Sequence, residues 1–359
     1  MGTTALTEPP ALSPLARSSP EPLRPLVDRQ RRPVEYLRIS VTDRCNLRCT
    51  YCIPEGGVEH LERADVLTFE ELVALVRCFA RLGVRRLRLT GGEPTLRRDL
   101  PVLVAMLREL PGIEDLALST NGLRLEELAG PLRRAGVDRL NVSIDSLDQD
   151  RFARITRGGD VRRVRAGIEA ARAAGYRAIK INTVAVRGFN DDELPALCAY
   201  AWARGLIPRF IEQMPMADGA LFVPGTFLGA QQIRDTIAAA LPGARVVAEG
   251  AGGPAAGAGP ARYWRVEGGG ESAHRFGIIS PLTEHFCDAC NRVRLSASGA
   301  LHTCLGHDDA TDLRAVLRAG GDAAVADAIR TAVDAKRDGH QFGLLGIGGP
   351  RKTMVQIGG

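Results

Sequence analysis

Between Tyr36 and Glu212 six strand-like segments alternate with helical runs, and this alternation constrains the fold more than any other feature of the chain. The segments are Tyr36 to Val41, Arg86 to Thr90, Asp115 to Thr120, Arg139 to Ile144, Arg177 to Val184 and Ile207 to Glu212. Helical patterns lie between them. Thr68 with Glu71 three residues later forms a capping box ahead of Leu72, Leu75, Val76 and Phe79, and a second helix is expected from Val161 to Ala174. Parallel neighbours need long crossover connections, so the pattern predicts an α/β fold with a parallel sheet and helices outside it, a partial (βα)6 barrel. In such barrels the working residues gather at the carboxyl ends of the strands. Gly91, Gly92, Thr120, Asn121, Ser143, Asp145 and Asn182 occupy those ends.

Three regions are expected. Residues 1–32, rich in Pro, Ser and Leu, read as a disordered N-terminal extension without the apolar core of a secretory signal, and Glu8, Glu21 and Asp28 argue against a transit peptide. Residues 33–214 form the barrel, and residues 215–359 a smaller C-terminal α+β domain. Within the latter, Gly243 to Pro260 is Ala/Gly/Pro-rich, notably near Gly253, and reads as a flexible loop. A hairpin follows from Tyr263 to Val266 and His274 to Ile279, then a helical stretch from Thr311 to about Arg337 and a Gly-rich tail. The 359 residues are 45% apolar and 25% charged, ordinary for a globular chain, and no apolar run is long enough to cross a bilayer. A net charge of +5 calls for no nucleic acid and suits a small polyanion equally well. A cytoplasmic location is expected, and the choice between monomer and homodimer stays open.

Six of the eight cysteines fall in two tight trios, while Cys78 and Cys198 stand alone in helical patterns as apolar fillers. Clustering of this kind points to metal rather than disulfides. Cys45, Cys49 and Cys52 share one loop after the first strand. A cubane iron–sulfur cluster has four irons, so three cysteines leave one iron open to an outside ligand. Zinc completed by a fourth residue is the alternative, with His60 the only histidine nearby in sequence. Cys287, Cys290 and Cys304 form the second trio, where His285, His302 or His307 could complete a zinc site. Directly after Cys290, Asn291-Arg292-Val293-Arg294 sets two guanidinium groups on one face of an extended segment, which suits an oxyanion and which structural zinc does not require.

The C-x3-C-x2-C trio, the Gly91-Gly92-Glu93-Pro94 turn, C-x2-C-x13-C with Asn-Arg-x-Arg, and the terminal Gly358-Gly359 together resemble the GTP 3',8-cyclase family of radical S-adenosylmethionine (SAM) enzymes, that of molybdenum cofactor biosynthesis protein A. The resemblance runs from about Arg32 onward and implies two [4Fe-4S] clusters, one per trio, with SAM on the first. It implies that Tyr51, Gly92, Glu93, Ser143 and Met214 contact SAM, and that Arg38, Arg88, Ser119, Lys180, Arg292 and Arg294 contact GTP. Gly358 and Gly359, with Arg292 and Arg294, are implied in catalysis. The implied reaction starts from a 5'-deoxyadenosyl radical that takes the 3' hydrogen of GTP and ends in (8S)-3',8-cyclo-7,8-dihydroguanosine triphosphate. A cyclic pyranopterin monophosphate synthase would receive the product, and a low-potential flavodoxin or ferredoxin would supply electrons. Lys180 also stands out by itself: between Ile179 and Ile181 it faces the opposite way, and an ammonium turned toward a barrel lumen needs an anionic partner. A peptide- or RNA-modifying radical SAM enzyme and a non-enzymatic iron–sulfur or zinc scaffold are the competing readings.

Overall fold

The computed structural model describes residues 24–250, 259–268 and 274–358. Strands β1 (Tyr36–Ser40), β2 (Arg86–Thr90), β3 (Asp115–Thr120), β4 (Arg139–Ser143), β5 (Ile179–Ala185) and β6 (Ile207–Glu212) lie side by side in chain order, all parallel. Helices α1 (Phe69–Arg81), α2 (Leu100–Arg108), α3 (Leu125–Ala135), α4 (Gln149–Thr156), α5 (Val161–Ala173) and α6 (Leu194–Trp202) fall in the connections. The expected capping box opens α1, with Glu71 N–H donating to Thr68 Oγ1 (3.2 Å) and Thr68 N–H to Glu71 Oε2 (3.0 Å). Cys78 and Cys198 are buried in α1 and α6, as expected of apolar fillers.

One face of each strand carries the core. Leu37, Ile39, Leu87, Leu89, Leu116, Leu118, Leu140, Val142, Ile179, Ile181 and Phe210 are all buried. A parallel sheet sealed on both faces has nearly continuous apolar strands. Here the other face is mostly polar instead: Arg38, Arg88, Ser119, Arg139, Asn141, Lys180, Asn182 and Arg209 line the inner face. That face is built to meet a polar ligand.

The C-terminal part adds β7 (Arg245–Ala248), β8 (Arg262–Glu267), β9 (His274–Ile279), β10 (Arg292–Leu295), β11 (Ala300–His302) and β12 (Thr311–Asp312), with α7 (Ala230–Ala239), α8 (Leu313–Asp334) and the single turn α9 (Met354–Ile357). These strands join both edges of the six-stranded arc. β10 pairs parallel with β1, β9 pairs parallel with β6, and the described strands form one twelve-stranded sheet in the order β12-β11-β10-β1-β2-β3-β4-β5-β6-β9-β8-β7. Because β10 lies parallel against β1 with Arg292 opposite Tyr36, Cys287 and Cys290 before β10 and Cys304 after the antiparallel β11 fall at the starting end of β1, while the first trio follows its far end.

Three expectations change. Part of the segment read as a disordered extension is structured: Val27 bridges to Pro33, Leu26 is buried in the main core, and buried Arg32 pairs with Asp28 at 2.6 Å. The Pro- and Arg-rich composition concealed these tertiary contacts. The segment read as a flexible loop contains β7, whose Arg-Val-Val-Ala run pairs antiparallel with β8 from Arg245↔Glu267 onward. The expected C-terminal helix is broken at Gly321, where φ 65° and ψ −163° are not helical. Residues 1–23, the insertion around Gly253, the hairpin tip at Gly269 and Gly270, and Gly359 lie outside the described residues. Among the described residues no helix is long and apolar enough to cross a membrane.

Candidate active site

The loop after β1 carries Cys45, Cys49 and Cys52 and packs backbone to backbone on the turn after β2. Gly92 N–H donates to the Thr42 carbonyl and Glu93 N–H to the Arg44 carbonyl, both at 2.8 Å. A Cβ on Gly92 would lie 2.4 Å from the Arg44 carbonyl oxygen, and one on Gly91 2.4 Å from that of Thr42. Close approach, rather than turn geometry, therefore demands both glycines. The buried Glu93 carboxylate accepts from Thr95 N–H (3.0 Å), Thr95 Oγ1 (2.5 Å), Thr120 Oγ1 (2.7 Å) and Asn121 N–H (2.7 Å). Its side chain is thus spent on binding β2 to β3. Gly92→Ala is expected to cost about 1–3 kcal/mol by overpacking and to weaken SAM binding, readable by thermal melting and by calorimetric titration with SAM.

The thiols of this trio are strained as acids. Burial pushes Cys45 up to about 11 and Cys52 up to about 12, with Cys45 and then Asp145 adding to the shift at Cys52. Burial, then Asp145, Cys52 and Cys45, raises Cys49 well above the usual range. Ligating thiolates must lose their protons, so a cation that binds here supplies the charge that the pocket withholds. Leu47 N–H already points at Cys45 Sγ, at 3.4 Å. His60, the zinc alternative, is engaged elsewhere, its Nδ1 3.1 Å from Asp43 Oδ2. Tyr51 donates its hydroxyl to Asp145 at 2.7 Å. Asp145, whose carboxyl burial raises to about 6, also accepts from Val184 N–H, while its carbonyl accepts from Asn190 Nδ2. Ser143 ends β4, paired in register with Asn182 on β5, and Met214 packs on a small apolar cluster of Met216, Phe222, Leu282, Phe342 and Ile357.

The inner face gathers the expected cations. Arg294, Arg38 and Arg88 are aligned across three neighbouring strands, and Arg38 Nε is buried with no acceptor among the described residues. Burial first, then Arg294, drives the Arg38 guanidinium well below its ordinary range. Arg88 donates to the Tyr36 hydroxyl and, at 3.3 Å, to Ser119 Oγ. Lys180 finds the Tyr263 hydroxyl at 2.9 Å rather than a carboxylate, and burial, then Arg209, Arg139 and Arg88, lowers its ammonium to about 7. Arg209 and Arg139 complete the patch, Arg209 donating to Asn182 Oδ1 at 2.6 Å. Sequence reasoning missed Arg139, Arg209, Tyr36 and Tyr263, although the strand alternation that singles out Lys180 also turns Arg139 and Arg209 inward.

At the opposite end of the same strands, the second trio flanks β10 and β11. Gly306 N–H points at Cys304 Sγ (3.4 Å), and the Lys336 ammonium lies 3.2 Å from Cys290 Sγ. Burial raises the Cys290 thiol, but Lys336 and Arg292 outweigh it and bring it down to about 7. Of the three histidines considered for zinc, only His285 comes near a cysteine of this trio in metal-ligating geometry. It groups with Cys287 and His340, and that group excludes Cys290 and Cys304. His307 contacts the Gly339 carbonyl at 2.9 Å, and His302 is buried. Arg294 donates to the Gly358 carbonyl at 2.7 Å, so the tail reaches the same face through the buried Val355 and Ile357.

A polar-lumened arc of parallel strands, with a three-cysteine loop after its first strand held by a Gly-Gly turn after its second, defines a radical SAM enzyme. The radical SAM superfamily description matches residues 39–201, and that of the molybdenum cofactor synthesis C-terminal region matches residues 207–342. The chain is 45% identical to a GTP 3',8-cyclase of Pelotomaculum thermopropionicum over 92% of its own length and 99% of the relative's, and 48% identical to that of Caulobacter vibrioides over 88% of each. Streptococcus suis SuiB with its precursor peptide overlays on 58% of this chain and 46% of its own at 15% identity, with a TM-score of 0.48. The chain belongs to the GTP 3',8-cyclase family. It is a lyase of molybdenum cofactor biosynthesis that uses SAM and [4Fe-4S] clusters, two in this family.

Proposed function

We propose that the inner face between the two cysteine trios binds GTP and SAM together and performs the family's 3',8-cyclisation there. The observation that carries this reading is the alignment of Arg294, Arg38 and Arg88, extended by Lys180 and Arg209, on a face with too few carboxylates to neutralise them. Buried like charges of this density call for a polyanion, and the triphosphate of GTP is one.

Cys45, Cys49 and Cys52 would hold the first cluster, and Cys287, Cys290 and Cys304 the second. When bound, the first cluster and SAM supply one-electron chemistry that generates a hydrogen-abstracting radical. The chain's own residues bind and orient. Tyr51, fixed by Asp145, together with Gly92, Ser143 and Met214, would seat SAM, while Glu93 holds the Gly-Gly turn in place. Arg38, Arg88, Ser119 and Lys180 would grip the triphosphate and ribose. Arg292, Arg294 and the Gly358 carbonyl would fix the nucleotide from the β10 side, with the second cluster taking the guanine edge. Rigid placement of the ribose hydrogen contributes most of the control. The division at about residue 214 then separates a SAM-binding part from a base-binding part. Downstream we place a cyclic pyranopterin monophosphate synthase, and upstream a flavodoxin or ferredoxin as donor, all in the cytoplasm.

The test is anaerobic: with SAM, dithionite and GTP, deoxyadenosine should form only when GTP is present. GTP-independent formation by cluster-replete protein would overturn the assignment.

Lys180 provides a pH signature. Its ammonium, lowered to about 7, is largely neutral in the free protein at pH 8, and a bound triphosphate favours the charged form. GTP binding should therefore take up a proton near pH 8 and weaken as pH rises. Calorimetry in two buffers of different ionisation enthalpy reads the uptake, and Lys180→Met should remove it.

A further inference from the structure

Only three lysines occur in a chain whose other cations are arginines: Lys180, Lys336 and Lys352. Lys336 is buried, just beyond the end of α8. Its Nζ lies 2.8 Å from the Arg292 carbonyl, 3.2 Å from Cys290 Sγ and 3.5 Å from the Cys290 carbonyl. An ammonium has three protons, and here three acceptors surround it. No carboxylate is within ion-pairing distance of it among the described residues. A buried ammonium without a counter-charge is costly, and the one neighbour able to carry negative charge is the Cys290 sulfur.

The backbone on either side is held as well. Buried Arg32 donates to the carbonyls of Arg337 (2.8 Å), Asp338 (2.7 Å) and Cys287 (2.9 Å), tying the residues after Lys336 to the cysteine loop. Arginine could not replace this lysine, because a planar fork cannot direct single donors to three acceptors arranged around a point.

We propose that Lys336 is a positioning residue for the second cluster: it is the fixed counter-charge of Cys290 and raises the cluster's reduction potential. The inference rests on the reading that Cys287, Cys290 and Cys304 hold a [4Fe-4S] cluster. One-electron reduction adds a negative charge to the cluster and its thiolates, and a charged N–H donor to a ligand sulfur favours that state. Lys336 also connects the cluster to the nucleotide, since the carbonyl it grips belongs to Arg292.

The test uses the full chain with Cys45, Cys49 and Cys52 all changed to Ala, reconstituted anaerobically so that only the second trio can hold iron. Iron and zinc content are measured first. Zinc in place of iron in this parent would sink the cluster assignment itself, before Lys336 is in question. Lys336→Met removes donor and charge, whereas Lys336→Gln keeps a donor without charge. With dithionite as reductant and electron paramagnetic resonance at set potentials as readout, the midpoints should fall in the order parent, Gln, Met. The Met variant is expected to lose at least tenfold in the equilibrium constant for reduction, about 59 mV for one electron. If either variant loads iron yet keeps the parent midpoint, the proposal is overturned. If both fail to load iron, the role is structural and the proposal is likewise overturned.

Discussion

Changing Cys49 to Ala is expected to abolish SAM cleavage, with deoxyadenosine formation falling at least ~10³-fold, more than ~4 kcal/mol of barrier. Cys49 is ringed by charge-bearing groups, with Asp145, Cys52 and Cys45 all acting on its thiol. Two remaining cysteines cannot anchor a cubane that leaves only one iron open, so the variant should lose the first cluster's iron and the SAM-dependent signal together. The fold should survive, since the loop is also secured by Gly92 and Glu93 N–H bonds to the Thr42 and Arg44 carbonyls. Iron content, circular dichroism and deoxyadenosine yield separate these outcomes. Cleavage at the parent rate would remove the first trio from the chemistry.

What the sequence revealed was whatever short-range pattern encodes. The six parallel strands were legible because a period of two for strands and capping boxes such as Thr68/Glu71 are local signals. The cysteine trios were legible because their ligands recur at short fixed spacings, the longest being the thirteen residues between Cys290 and Cys304. The inward turn of Lys180 followed from its two isoleucine neighbours, but its partner did not, since the Tyr263 hydroxyl lies 83 residues away. The same limit hid the pairing of β10 with β1 and of β9 with β6, which makes one sheet of two sequence regions. It also hid Lys336, which reads as an ordinary residue at a helix end until folding brings it to Cys290, 46 residues upstream. Arg32 looked like the end of a disordered tail because composition weighs residues without their contacts, and its partners at Cys287, Arg337 and Asp338 lie more than 250 residues downstream.

Arg292→Ala separates the two halves of the reaction. The Arg292 guanidinium is buried, lies 5.3 Å from the Phe286 ring centroid, and stands in register with Tyr36 on β1. Removing one buried member of a charge-paired contact costs about 3 kcal/mol, roughly 10²-fold in kcat/KM for GTP. The alanine variant keeps the Arg292 carbonyl, so Lys336 retains its 2.8 Å bond and the second trio its counter-charge. The first trio and its Gly-Gly turn lie on other strands and are untouched. With GTP saturating, SAM cleavage should therefore continue while cyclised product falls, raising the ratio of deoxyadenosine to product. Arg292→Lys should recover only part of the loss, because an ammonium cannot reproduce two parallel donors to a phosphate or a base edge. If deoxyadenosine and product fall together in the alanine variant, Arg292 acts on cleavage as well as on nucleotide placement, and the division of labour between the two cysteine trios fails.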